Sequence, residues 1–411
     1  MKKTFAIIFA LFLLYFSASQ LVRSPLEVRA QDTFKLGDAN GDGQVSLADF
    51  EVWRQVYTQS QPTPDPTPGS PTIAPTQQPT ANKRLILHNW PGGAAMSPQY
   101  VRDNAAWFET KRDFLDGVAV IFPGSAQVMK NNVTSYDAYL NALSPVKNLP
   151  TTNIKYNFAL VFNNRPADVF DDWTGAIQNW KNLARAARDT GLTGIMFDNE
   201  EYFEYWGNWP EQSTYKDKTL KQYQDQTRLR GRQVMEAVAS EFPTVDFIVL
   251  HGPYISEPSS PDPTYNFVSS SNELKGPFFA GLMEGKGSTA TVIDGGEMYG
   301  LRSASDFSIA YNWQRNGIAS DETNSAFIPA ALRPIWKRDI SVSYGIYNKG
   351  DPRGGTMTPA IYQTTLTHAL RQADKYVWLY TDDSSFINIG SPQMGEDWMN
   401  AARNAKNTYA Q

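Results

Sequence analysis

Gly191-Leu-Thr-Gly-Ile-Met-Phe-Asp-Asn-Glu-Glu-Tyr-Phe-Glu-Tyr-Trp-Gly-Asn-Trp209 is the stretch on which the fold turns. It opens on a helix-ending glycine, passes through the apolar run Ile195-Met-Phe197, and then places Asp198, Glu200 and Glu201 within four positions. A strand buried on both faces reads as an uninterrupted apolar run, and here that run ends in carboxylates. Tyr202, Trp206 and Trp209 follow at once, so the acids stand beside flat apolar surfaces of the kind on which sugar rings stack. The plainer reading is a strand that runs into a solvated acidic loop, since most acidic residues face water.

Working outward, runs of the same kind recur on both sides. Arg84–Trp90, Gly117–Phe122 and Tyr156–Phe162 precede Gly194–Asp198; Asp246–His251, Ala290–Asp294, Asp339–Tyr344 and Lys375–Tyr380 follow it. Amphipathic stretches at 173–190, 215–241, 303–316, 358–374 and 394–408 lie between or after them. Eight strands alternating with helices over about 330 residues predict a (β/α)₈ TIM barrel. A doubly wound open sheet competes, but no Gly-rich phosphate loop follows an early strand.

The chain ahead of residue 83 has a different character. Lys2 and Lys3 precede the apolar run Phe5–Phe16, the pattern of a secretory signal peptide within residues 1–30, with cleavage after Ala18 or Ala30. This predicts a secreted or cell-surface protein, held at the membrane only if that segment is uncleaved. Residues 35–57 then carry Asp38, Asn40, Asp42, Gln44, Ser46 and Asp49 at positions 1, 3, 5, 7, 9 and 12 of a loop, with Gly43 at position 6. That spacing supplies the oxygens and the sharp turn that Ca²⁺ requires, Gln44 through its carbonyl. The segment resembles a dockerin repeat, a family that carries two such repeats where this chain has one. The resemblance implies bound Ca²⁺ and a cohesin-like or second dockerin-like partner. Residues 58–82 are Pro, Thr, Gln and Ser with almost no large apolar side chain, a semi-rigid tether to the 83–411 domain.

If 83–411 is a barrel, its chemistry lies at the C-terminal strand ends. Those ends offer Asn89 and Trp90, Asn163, Asp198 with Glu200 and Glu201, His251 with Tyr254, Asp294 with Glu297 and Tyr299, Tyr347 with Asn348, and Asp382 with Asp383. Carboxylates, amides and aromatics suit a neutral, hydroxyl-rich ligand. Breaking a glycosidic bond needs two carboxyl groups, one giving a proton and one acting as nucleophile or positioning water. Glu200 on strand four and Glu297 on strand six can face each other across the mouth. Two-residue alternation favours Glu200 over Glu201, because it shares a face with Asp198. The expected roles are Glu200 as general acid/base and Glu297 as nucleophile or base, the reverse order remaining open, with Asp198 tuning Glu200. Asn89, Trp90, Glu201, Trp206, His251, Tyr254, Tyr299, Tyr347 and Asp382 are expected to line the substrate site.

These strand ends resemble secreted barrel glycoside hydrolases. Chitinase-like enzymes end strand four in D-G-x-D-x-D-x-E, whose last two acids match Asp198 and Glu200, while Thr193 and Met196 replace the first two. Asn199-Glu200 is similar to the acid/base signature of the largest barrel clan, although strand seven offers Tyr347-Asn348 where that clan has its nucleophile Glu. Pairing strands four and six is similar to the α-galactosidase-like clan, which uses Asp in both places. The resemblance implies a glycosidase acting on a poly- or oligosaccharide, with no cofactor in the catalytic site.

Two rivals remain. His88 and His251 with Asp198 and Asp382 outline a metal site of an amidohydrolase-like barrel, but strand one lacks His-x-His and the chain has 3 His in all. A barrel that binds polysaccharide without cutting it would not need carboxylates on facing strands, which repel on burial. With no Cys, thiolate sites and disulfides are excluded, and a net charge of -5 speaks against a nucleic-acid partner. No Gly-x-Ser-x-Gly elbow and no phosphate-binding Gly-rich loop with Lys is present.

Overall fold

Strands that are apolar at consecutive positions can bury both faces only in a parallel sheet jacketed by helices. A computed structural model describes residues 82–89, 96–164, 166–200, 213–256, 273–320, 327–349, 356–381, 386–387 and 394–410. The expected leader, the calcium repeat and the tether up to residue 81 lie outside the described residues, as do Trp90, Glu201, Trp206, Asp382 and Asp383.

The strands are β1 (Arg84–Asn89), β2 (Gly117–Val120), β3 (Phe158–Phe162), β4 (Gly194–Asp198), β5 (Asp246–Val249), β6 (Thr291–Asp294), β7 (Ser341–Val342), β8 (Tyr344–Tyr347) and β9 (Tyr376–Thr381). The α-helices, in chain order, are α1 (Pro98–Asp103), α2 (Ala105–Lys111), α3 (Tyr136–Leu143), α4 (Thr174–Asp189), α5 (Leu220–Glu241), α6 (Lys275–Gly285), α7 (Ala304–Asn312), α8 (Arg333–Asp339), α9 (Pro359–Gln372) and α10 (Glu396–Thr408).

Every strand pair is parallel: β1 to β7 pair in sequence, β8 pairs with β9, and β9 pairs with β1. Ser343 alone separates β7 from β8, and its N–H donates to the Asp294 carbonyl at 2.8 Å. The two short strands are therefore halves of one stave, and the sheet closes as a (β/α)₈ barrel. Alternation sorts the side chains into two cores. Ile86, Ala119, Leu160, Met196, Ile248, Ile293 and Trp378 fill the interior, while Val118, Val161, Phe197, Val249 and Leu379 pack outward under the helices.

Three elements depart from the expected pattern. The seventh stave runs on to Tyr347 past its break at Ser343. α5 starts at Leu220 rather than at 215, because Thr219 and Gln222 form a capping box that sets its first turn. α6 has no amphipathic signature at all: nearly every one of its residues is buried, Lys275 among them. Among the described residues no helix is long and apolar enough to cross a membrane.

Candidate active site

The interior alternation that buries Met196 also turns Asp198 into the barrel at the end of β4. Its Oδ1 accepts the Glu200 N–H at 3.0 Å, which bends the chain and carries Glu200 over the mouth. Asn199 clamps this bend to β5. Its side-chain amide donates to the His251 carbonyl at 2.8 Å and its oxygen accepts the His251 N–H at 2.9 Å. On β6 the Gly295-Gly296 turn returns the chain toward β5, with Gly296 at φ 59°, a left-handed geometry that favours glycine. Glu297 follows, its N–H on the Leu250 carbonyl at 3.2 Å. Gly252 has no room for a side chain, because a Cβ there would lie 2.0 Å from Asp294 Oδ1.

The result is a convergence on one atom. His251 Nε2 lies 3.0 Å from Glu200 Oε1 and 3.6 Å from Glu297 Oε2, and the ligand atoms of the three residues lie within 4.8 Å of one another. The ring is oriented from behind by Tyr254, whose hydroxyl donates to the Glu297 carbonyl at 3.0 Å. That hydroxyl has one proton, so at 3.0 Å from His251 Nδ1 it can only accept. Nδ1 therefore carries hydrogen, and Nε2 faces two carboxyl groups. One proton shared between Nε2 and Oε1 satisfies the 3.0 Å contact, whereas Glu297 Oε2 has no hydrogen-bond partner.

Environment separates the two acids. The Glu297 side chain is 7% exposed and that of Glu200 37%. Burial first, then the charges of Glu200 and Asp198, push the Glu297 carboxyl well above the usual range; a Tyr299 hydrogen bond and the Lys275 charge oppose this. Lys275, the buried first residue of α6, lies on an element with no sequence signal for it.

An aromatic wall stands on the β6–β9 side. Tyr299 and Tyr380 stack with centroids 6.0 Å apart at 14°, and Tyr347 packs on both at 5.2 and 5.0 Å. His88 tilts against Trp378 and Tyr380 at 5.7 and 5.3 Å. Burial lowers its pKa to about 4 against the pull of Glu200, so the ring is neutral, and its Nδ1 has no partner. The buried side-chain amide of Asn163, at the end of β3, is also unpartnered.

Of the residues expected from sequence, Asp198, Glu200, His251, Tyr254, Glu297, Tyr299 and Tyr347 come together. Asn89 instead accepts a hydrogen bond from Thr381 across β1 and β9. Lys275 and Tyr380 were missed, Tyr380 because it reads as an ordinary strand aromatic; His88, expected either as a metal ligand or as a core histidine, stands in the aromatic wall instead.

No family model and no curated protein matches this sequence. Among solved structures, a GH5-4 broad specificity endoglucanase from an uncultured bacterium is 14% identical, with 80% of this chain and 95% of that one covered and a TM-score of 0.43. A GH18 chitinase from Pseudoalteromonas aurantia is 10% identical, covering 78% and 99%, with a TM-score of 0.41. A 3-keto-D-glucoside 4-epimerase from E. coli is 12% identical, covering 80% and 99%, with a TM-score of 0.39. The barrel itself is established by the strand ladders of this chain, and its chemistry has to be argued from its own side chains.

Proposed function

We propose that this barrel is a glycoside hydrolase that cleaves its substrate with retention of anomeric configuration. One observation carries the reading: Glu200 and Glu297, from strands two apart, bring carboxylate oxygens within 4.8 Å of each other around His251. Retaining enzymes hold the two carboxyl groups about 5–5.5 Å apart, whereas inverting ones leave about 6.5–9.5 Å for a water.

Burial selects the roles. Glu297, protonated because its charge is disfavoured, gives its proton to the glycosidic oxygen as the C–O bond breaks. Glu200, more exposed and held by His251, attacks the anomeric carbon and forms the glycosyl-enzyme ester. Glu297, now ionised, takes a proton from water, which attacks the same carbon and releases Glu200. This assignment is the reverse of the order preferred from sequence. The Tyr299, Tyr347 and Tyr380 wall supports stacking of a sugar ring, and the unpartnered His88 Nδ1 and Asn163 amide support hydrogen bonding to hydroxyls. Trp90, Glu201, Trp206 and Asp382 remain proposed lining residues on sequence grounds. Secretion, and a Ca²⁺ module at 35–57 tethered by 58–82, complete the proposal.

The test is Glu200→Gln and Glu297→Gln assayed on a panel of glycans. Each is expected to lower turnover by roughly 10²–10⁴-fold with the melting temperature preserved. Full activity in either variant would sink the pairing.

A further inference from the structure

We propose that Glu200, His251 and Glu297 form a binding site for one divalent transition-metal cation of the Zn²⁺ type, with Glu200 Oε1, His251 Nε2 and Glu297 Oε2 as its ligands. Three observations carry it. The first is spacing. Zn–N and Zn–O bonds of about 2.0–2.2 Å set tetrahedral ligand atoms roughly 3.3–3.5 Å apart; Nε2 stands 3.0 and 3.6 Å from the two oxygens, and the three ligand atoms lie within 4.8 Å of one another, so a cation would draw the two carboxylates together.

The second is the tautomer. A metal-bound histidine donates its other ring N–H to a fixed acceptor, and His251 Nδ1 donates to Tyr254, which is itself anchored on the Glu297 carbonyl. The lone pair of Nε2 is thereby aimed at the space between the carboxylates. Third, Glu297 Oε2 is buried, partnerless and aimed at the same point.

One nitrogen and two oxygens select Zn²⁺ or Co²⁺ over Ca²⁺ and Mg²⁺, which take oxygen ligands. Three protein ligands leave a fourth position for water, and the partly exposed Glu200 leaves a path of entry. A cation here replaces the proton shared between Nε2 and Oε1 and ties down both acids, so it inhibits hydrolysis. The inhibitory half of the proposal rests on the hydrolase reading; the binding half does not.

The experiment is calorimetric titration of Zn²⁺ into the full chain, with excess Ca²⁺ present to occupy the 38–49 loop. One site is expected that is absent or at least about a hundredfold weaker in His251→Gln, and about 10–100-fold weaker in Tyr254→Phe, which loses the group that orients the ring. Equal Zn²⁺ affinity in the unaltered chain and a folded His251→Gln would overturn the proposal. If His251→Gln does not fold, the visible spectrum of the Co²⁺-loaded unaltered chain decides. Intense four-coordinate bands support the site, and only the weak bands of six-coordinate Co²⁺ refute it. Zn²⁺ binding without any glycan hydrolysis would fail the hydrolase reading and leave the site standing.

Discussion

Both ends of this barrel bury a carboxylate, and they treat it differently. At the N-terminal end Asp246 accepts a hydrogen bond from the Tyr376 hydroxyl at 2.6 Å and pairs with Lys375. At the C-terminal end Glu297 keeps one oxygen without a hydrogen-bond partner, beside His251 Nε2 and a second glutamate. A buried acid whose partners are supplied by the fold contributes to stability; one left short of partners costs stability and is available for chemistry. The comparison agrees with the barrel rule that places chemistry at the C-terminal face and stability at the other.

The contrast breaks first at Glu297. Glu297→Gln should remove nearly all turnover while melting at or above the temperature of the unaltered chain, because a neutral amide removes the cost of burying an acid that the unfolded chain ionises. A large drop in melting temperature would mean that Glu297 is structural, like Asp246.

Asp294 sharpens the comparison. It too has an oxygen without a hydrogen-bond partner, but alternation puts it on the outer face of β6, where its other oxygen accepts the Gly296 N–H at 3.0 Å. Burial pushes its pKa from 3.8 up to about 7. The folded state therefore holds a proton that the unfolded chain releases, and stability falls as pH rises from about 4 to about 7. A rise of that size corresponds to roughly 4 kcal/mol as an upper figure. Asp294→Asn should flatten this fall in melting curves recorded from pH 4 to 8, with turnover little changed; an unaltered pH profile would contradict the assignment.

Asp246→Ala should do the converse of Glu297→Gln. It strands the buried Tyr376 hydroxyl at about 1–3 kcal/mol, lowering the melting temperature while the folded fraction keeps its kcat. Tyr254→Phe should have the smallest effect, about 1 kcal/mol in stability, with kcat reduced more than KM is raised because the His251 ring loses its orienting partner. An effect on KM alone would make Tyr254 a substrate contact instead.

Much of this was legible in the chain. The eight staves announce themselves because both-face burial demands apolar runs, as in Ile195-Met-Phe197. Glu200 and Glu297 follow from reading where those runs stop. What was not legible has physical causes. α6 is apolar on all sides, so it lacks the periodicity by which helices are recognised, and the influence of the Lys275 charge on Glu297 went unseen with it. His88 has the same local sequence whether it packs or binds; only its unpartnered Nδ1 tells the two apart. The roles we propose for the two glutamates rest on relative burial, a tertiary quantity that strand-end spacing does not carry.

The most direct test of the central claim is the anomeric proton signal recorded at the start of hydrolysis of any glycan the protein cleaves. The close approach of Glu200 and Glu297 predicts that the first product appears with the configuration of the bond that was cut. A first product of the opposite configuration would contradict it.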